Sequence, residues 1–461
     1  MEGLEPQFYW NPCHCNELDA LLRRHYPAPR SKDLGPIRRQ LDILATKFQP
    51  FDSVDYNTLI KHTRAGIRRR YRNARIRLIN KNTEITAVLT KLKAFVKYEK
   101  IPIGKFETGK APRLIQYRSF EYLYLLKKML LGFDIQLKNL SDDVRWYHQP
   151  LRSVYTKLGN QKDTAQSLRE SWDSYANPVA YCFDHRSYDG SIEEDTLLEE
   201  HRFWLKLSKS ELLKMLLKAQ LECHGMTSSG LRFKGKAKRA SGEFTTSNGN
   251  SNINIAAITS WCLASKLDSF RIHVNGDDSV VIFDASEMRK AVGVDYFMNF
   301  GLETEMEEPV FDFRKISYCQ ANPIRVCGQW TMIKEPFRAL SRMCFCDDAH
   351  RNHMQRFRLT NGICDLAIYS GVPMLQQFAL YEIDRGFKQR PLGSIDKYPA
   401  VLSGNEVGTS PITRECREDF YEAFGITEDY QAWFELQLAG KITNPQFVKE
   451  TITKYKRFHL N

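Results

Sequence analysis

Apolar residues recur at helical spacing over about 193–220, where Leu197, Leu198, Phe203, Trp204 and Leu207 predict a helix. A short apolar run precedes it. Val179 to Phe183 reads as a buried strand ending at Asp184 and running into a turn by about 192. Residues 230–250 are rich in Gly, Ser, Thr and Asn and predict a loop, followed by an apolar helical run over 253–267. Residues 271–283 show two β-type runs around Asn275-Gly276-Asp277-Asp278, a strong hairpin signal. A helix over about 286–300 and two short strands over about 308–327 follow. The remainder, 330–461, reads as mostly helical, with loops around Gly393 and Gly404. On the N-terminal side, the basic stretch 61–81 suits a helix with one apolar stripe of Ile67, Tyr71, Ile76 and Leu78. Residues 91–120 are basic and carry loop signals. No fixed-period repeat or low-complexity block interrupts the chain.

Length changes the picture first. A chain of 461 residues exceeds one ordinary core, so two or three subdomains around a cleft are expected. The formal net charge of +12 points to a polyanionic partner, nucleic acid or anionic membrane surface. The arginines of 61–81 are read as a wall for RNA phosphates. The 11 cysteines include no C-x-x-C pair, so they are expected as single buried thiols in a reducing, cytoplasmic setting. The first ten residues lack a basic region and an apolar run, which is unlike a signal peptide. The most apolar segment, 122–133, is broken by Lys127 and Lys128 and is shorter than the roughly 20 residues of a spanning helix.

The candidate chemistry lies in acids at strand ends. The hairpin presents Asp277 and Asp278 at its tip, and Asp184 ends a buried strand. Gly-Asp-Asp alone would be read as an ordinary turn. With a third carboxylate on a neighbouring strand it can hold two Mg²⁺ ions about 3.5–4 Å apart, the arrangement that serves phosphoryl transfer. Mn²⁺ is expected to substitute. Asp189, five residues after Asp184, and Asn250 offer an acceptor and an amide for a ribose 2′-hydroxyl, with Ser241 and Thr246 in support. Against these stand an Asx turn at Asp189 and a helix N-cap at Thr246 or Ser247. Lys97, Lys100, Lys105, Lys110, Arg113 and Arg118 form a basic series around Pro102 and Pro112. Pro112 limits the backbone beside Arg113, so a triphosphate is its natural target, with Lys110 and Arg118 assisting. Lys97 and Lys100 are assigned to RNA.

These pieces, in this order, resemble the RNA-dependent RNA polymerases of positive-strand RNA viruses, within them the tombusvirus-like group. Asp184-x4-Asp189 is similar to motif A, and Ser241-Gly242-x3-Thr246-x3-Asn250 to motif B. Gly276-Asp277-Asp278 resembles motif C, and Ala111-Pro112-Arg113-x-Ile115-Gln116-x-Arg118 motif F. Glu307-Glu308-Pro309 and Tyr318-Cys319-Gln320 are similar to motifs D and E. The resemblance covers about residues 91–330. It implies an α+β right-hand fold with a small antiparallel palm sheet. Fingers would span 1–170, the palm 171–330 with a fingers insertion at about 193–240, and a helical thumb 331–461. Asp184 and Asp277 would bind both metals with Asp278 assisting, Asp189 and Asn250 would read the ribose, and Tyr318, Cys319 and Gln320 would lie near the primer strand. Its partners would be single-stranded RNA template, nascent RNA and ribonucleoside triphosphates. A membrane-anchored viral replication partner would hold it in host cytoplasmic replication complexes, and the chain could be one piece of a longer product. One departure stands out. The family's motif D lysine is matched here by Glu305, so either another base such as Lys290 or Lys315 serves or the step runs without one, and the role is not assigned. Three competitors remain, one of them a two-metal nuclease, which would not need the Ser-Gly/Thr/Asn loop. A reverse transcriptase would carry an aromatic residue near Asn275-Gly276 and lack the ribose readers. A non-catalytic RNA-binding scaffold would hold repelling carboxylates with nothing to neutralise them.

Overall fold

A computed structural model describes residues 3–25, 32–80, 90–346, 348–392 and 406–456. The expected loops around Gly393 and Gly404 lie outside these residues.

The strand Pro178–His185 is central in an antiparallel sheet. It pairs on one side with Asp278–Asp284, which continues to Arg271–Asn275, and on the other with Thr304–Met306. Its alternation fixes what each face meets. Val179, Tyr181 and Phe183 join Ile272, Val274, Val281 and Phe283 in the largest core. Ala180 and Cys182 join Val280 and Ile282 in a second core, closed by Leu168, Trp172, Phe313 and Met332. A sheet buried on both faces needs apolar residues at successive positions, which is why this strand reads as a continuous run. Asn275 pairs with Asp278, so Gly276 and Asp277 make a two-residue turn with Gly276 at φ +67°. Positive φ at the first turn residue is the demand of a II′ hairpin, and glycine meets it without strain.

A second sheet runs in the order Leu114–Tyr117, Leu92–Val96, Cys223–Thr227, Arg232–Gly235. Stretches expected to be loops therefore supply strands. The largest core unites residues from Ile37 to Tyr155 with residues from Val179 to Leu302. Beyond it, the hairpin of Ala321–Val326 and Gln329–Lys334 leads to helices Pro336–Cys344, Met354–Tyr369, Leu375–Arg385, Arg414–Phe424, Glu428–Ala439 and Pro445–Tyr455.

Several expectations change. The helix over 193–220 is two, Glu194–Leu207 and Glu211–Gln220, with Ser210 accepting from the N–H of Leu213 as a cap. The helix read from 253 begins at Thr245 and runs to Ala264. The helix over 286–300 is instead two 3₁₀ segments, Ala285–Lys290 and Val294–Phe300, separated by extended backbone at Ala291 and Gly293. The strands expected over 308–327 are Thr304–Met306, earlier than read, and Ala321–Val326, whose partner falls in the region read as helical. Helix Ala65–Asn80 forms, but only Tyr71 and Ala74 on it are buried, and Ile67 and Ile76 are exposed. At about 100° per residue, Ile76 lies some 140° from Tyr71 and cannot share its face. The apolar segment around 122–133 is the buried helix Phe120–Lys138, in which Lys127 donates to His62 O (2.7 Å) and Thr63 Oγ1 (2.8 Å). Among the described residues no helix is long and apolar enough to cross a membrane.

Candidate active site

Ser279 pairs with Phe183, so one step along the ladder Asp278 comes beside Asp184, on the sheet face shared with Ala180 and Val280. Asp277 stands in the adjoining turn. Glu305 pairs with Asp184 from the edge strand. Its carboxylate is committed to Arg186 (2.7 Å), which also holds Glu303 (2.9 Å). Burial raises Asp277, and Asp189 and Asp184 add to the effect. Burial, then Asp277 and Asp184, push Asp278 up to about 7. Burial and Asp184 likewise raise Glu307. The carboxylates therefore crowd one another.

Opposite them the cations crowd too. Burial, then Lys105, Arg24 and Arg113, lower Lys110, while Asp184 pulls it the other way. Arg24 is lowered by burial and then by Arg113. Its Nε donates to Ala111 O (2.9 Å), which pins the segment that carries Lys110 and Arg113. Arg113 is half-exposed, with Glu99 at 3.5 Å. The acids and the cations thus each repel like neighbours, while Lys110 is coupled to Asp184 and Arg113 to Asp277. A polyphosphate bound with divalent cations relieves both at once.

Asp189 and Asn250 meet. Asn250 Nδ2 donates to Asp189 Oδ1 (2.7 Å), and Arg239 Nε donates to Asn250 Oδ1 (2.8 Å). Arg239 is in turn paired with the buried Glu200, which accepts from Trp204 Nε1 (2.8 Å). Ser241 and Thr246 are placed differently from expectation. Ser241 Oγ donates to Leu114 O (3.1 Å) and accepts from Gln116 N (3.2 Å), and Thr246 Oγ1 donates to Ala240 O (2.9 Å). Both hydroxyls brace backbone instead of facing a ribose. Thr246 and Ser247 are not N-caps either, because the helix starts before them.

Arg118 also changes role. It is 1% exposed, paired with Glu243, and donates to Ala219 O (2.7 Å) and Glu222 O (2.9 Å), so it has no face for a triphosphate. Tyr318 is buried with its hydroxyl 2.7 Å from Thr156 Oγ1, out of reach of a nucleic-acid strand. Lys100 donates to Arg342 O and lies 5.4 Å from the Phe357 ring, an internal tie to the C-terminal helices. Lys97 pairs with Glu99 at 2.8 Å. Cys319 accepts from Asn275 Nδ2 (3.5 Å) and its thiol is hydrogen-bonded to Asp278, so it stands against the acids, while Gln320 is exposed with φ +62°. Lys290 pairs with Asp268 (2.9 Å) beyond Asp284, at the far end of its strand from Asp278, and Lys315 is exposed. With about 3.3 Å per residue, that strand alone separates Lys290 from the acids by some 20 Å.

Sequence reasoning missed Arg24, Arg239, Glu200, Ser251, Asn254 and His185. Asn254 had a signal, since it follows Asn250 by one helical turn. The Arg239–Glu200 pair had none, since no spacing rule joins residues of different elements.

Among the described residues, no three His, Cys, Asp or Glu side chains converge closely enough to hold an ion as they stand. Mg²⁺ is commonly bound by one or two carboxylates, with phosphates and waters completing its shell. Asp184 with the Asp277–Asp278 turn fits that donor set.

The chain matches the family model of viral RNA-dependent RNA polymerases over residues 26–439. It is 28% identical over 437 residues to the RNA-directed RNA polymerase of Carnation mottle virus, covering 91% of this chain and 55% of that protein. To that of Cymbidium ringspot virus it is 28% identical over 442 residues, covering 92% and 52%. To that of Turnip crinkle virus it is 29% identical over 419 residues, covering 87% and 52%. The chain spans about half the length of these relatives. With nearly its whole length matched, the chain belongs to the viral RNA-dependent RNA polymerase family.

Proposed function

We propose that this chain carries out template-directed transfer of ribonucleoside triphosphates onto a growing RNA 3′ end. The observation that carries the reading is the ladder that sets Asp278 beside Asp184, with Asp277 in the adjoining turn and the Asn250–Asp189 pair nearby. In this reading the sheet around Pro178–His185 is the palm, the sheet around Leu92–Val96 belongs to the fingers, and the C-terminal helices are the thumb. Asp184, Asp277 and Asp278 would hold two Mg²⁺ ions. When bound, those ions would activate the 3′-hydroxyl and neutralise the triphosphate and leaving pyrophosphate. Lys110 and Arg113 orient the triphosphate from the opposite side. Asp189 and Asn250 face the ribose. Glu305, tied to Arg186, leaves motif D without a proton donor at that position. RNA template and nascent strand are the macromolecular partners. Recruitment to host membranes by an anchored viral partner belongs to the same proposal, and flotation with and without such a partner checks it.

The test is labelled ribonucleotide incorporation on a single-stranded RNA template with Mg²⁺. The intact chain should make template-length product, and Asp277→Ala and Asp184→Ala should make none while melting like the wild type. Equal product from either variant would remove the two-metal assignment. RNA binding without any incorporation would favour the scaffold.

A further inference from the structure

A hydrogen-bond chain links the acidic hairpin to the helix that carries Asn250, and no step of the polymerase reading uses it. Asn254 is fully buried one turn beyond Asn250. Its Nδ2 donates to the carbonyl oxygens of Gly276 (2.9 Å) and Asp277 (3.1 Å). Carbonyls only accept, so the amide oxygen must face the other way. There it accepts from His185 Nε2 at 3.0 Å. With Nε2 donating, Nδ1 accepts from Thr304 Oγ1 at 2.8 Å. Ser251 Oγ accepts from Gly276 N at 3.0 Å. The helix therefore holds both carbonyls and the first N–H of the turn.

The residue types fit this task narrowly. A short amide can donate twice and accept once, whereas Asp would set a carboxylate against two carbonyls and Ala would orphan both. His185 directly follows Asp184 on the central strand, so its side chain falls on the opposite sheet face, toward the helix.

We propose that Asn254, oriented by His185, is a positioning residue for nucleotidyl transfer. It sets the height of the Gly276-Asp277 turn against the helix bearing Asn250, so the carboxylates and the ribose contact keep one spacing. This rests on the polymerase reading above.

The experiment compares the wild type, Asn254→Ala, His185→Leu and His185→Gln in three measurements. These are Mn²⁺ binding followed by electron paramagnetic resonance without RNA, ribonucleotide incorporation resolved into kcat and KM, and thermal melting. Loss of an outer support of a metal site commonly weakens metal affinity or activity by about 10–100-fold. Folded Asn254→Ala should therefore bind Mn²⁺ roughly tenfold more weakly and lose kcat to a similar degree, with KM for nucleotide within about twofold. His185→Leu should move the same way. His185→Gln, which keeps an N–H donor, should recover most of the loss. Wild-type Mn²⁺ affinity in folded Asn254→Ala would overturn the proposal, as would equal defects in the two His185 variants. Should Asn254→Ala fail to fold, the His185 pair decides by the same comparison. A wild type that binds Mn²⁺ yet incorporates nothing would sink the polymerase reading, and the Mn²⁺ affinities would still judge the positioning role.

Discussion

Asn250 has both ends of its amide occupied, one donating to Asp189 and the other accepting from Arg239. Asn250 holds Asp189 in place, and in the proposed reading the second Asp189 oxygen is the one that meets the ribose. Asn250→Ala should thus loosen Asp189 and lower the preference for ribo- over deoxynucleotides on the order of tenfold, the size of one lost hydrogen bond. The ratio of kcat/KM for the two substrates measures this, and an unchanged ratio removes the pair from ribose reading. Glu382 illustrates a different residue-scale effect. It is buried in the helix Leu375–Arg385 with Arg358 Nε 3.8 Å away, and burial pushes its carboxyl up to about 7. In the unfolded chain the same group titrates near about 4.3. Between those values the folded state holds the proton more tightly, so stability falls as pH rises through this window. The melting temperature of Glu382→Gln should accordingly gain on the wild type from about pH 4 to about pH 8. A constant difference across that range would show that the group carries no such linkage.

At the scale of elements, close approach of the helix Thr245–Ala264 to the helix Glu194–Leu207 is the sharpest constraint. A Cβ at Gly249 would lie 2.1 Å from Glu200 Oε1 and 2.6 Å from its Cδ. Gly249→Ala must then move the Glu200–Arg239 pair, both members of which are buried. Breaking a buried pair costs about 3–5 kcal/mol, so urea unfolding should show a loss of at least about 2 kcal/mol. A neutral result would mean that the helices separate easily. The same helix shows how much of the fold and the site could be read beforehand. The apolar strand leading to Asp184 and the hairpin follow local rules, whereas no local rule joins Asp189 to Asn250, which the family resemblance brought together, and the structure contains all three. The first two turns of the helix were hidden because Asn248, Asn250 and Asn252 score as loop formers. Their amides are used across elements, on Asp134, Asp189 and Tyr155. Arg118 and Ser241 were misread for the same reason, since no local pattern reveals that a polar side chain is spent on a distant backbone or an internal carboxylate, while Thr246 turns back to Ala240 O six residues earlier.

For the whole molecule, the excess of +12 is not all available to a ligand. Arg118, Lys127 and Arg239 are buried in internal bonds. Much of the remainder lies on the exposed arginines of Ala65–Asn80 and around Lys110 and Arg113. If about six phosphates of a single strand are contacted, RNA affinity should fall roughly 300-fold between about 50 and 200 mM salt. Filter binding across that range measures it. A flat response would show that the surface charge does not meet RNA.

The alternation along Pro178–His185 also bears on inheritance. One side of that strand completes a core with residues as early as Ile37, and the other side completes one with residues as late as Met332. A recombinant genome that joined two relatives within this span would ask side chains with separate histories to interlock on both faces of one strand. At about 28% identity, many of those interlocking side chains differ between relatives. Successful crossovers should therefore spare the interval from Ile37 to Met332 and pass it on as a block.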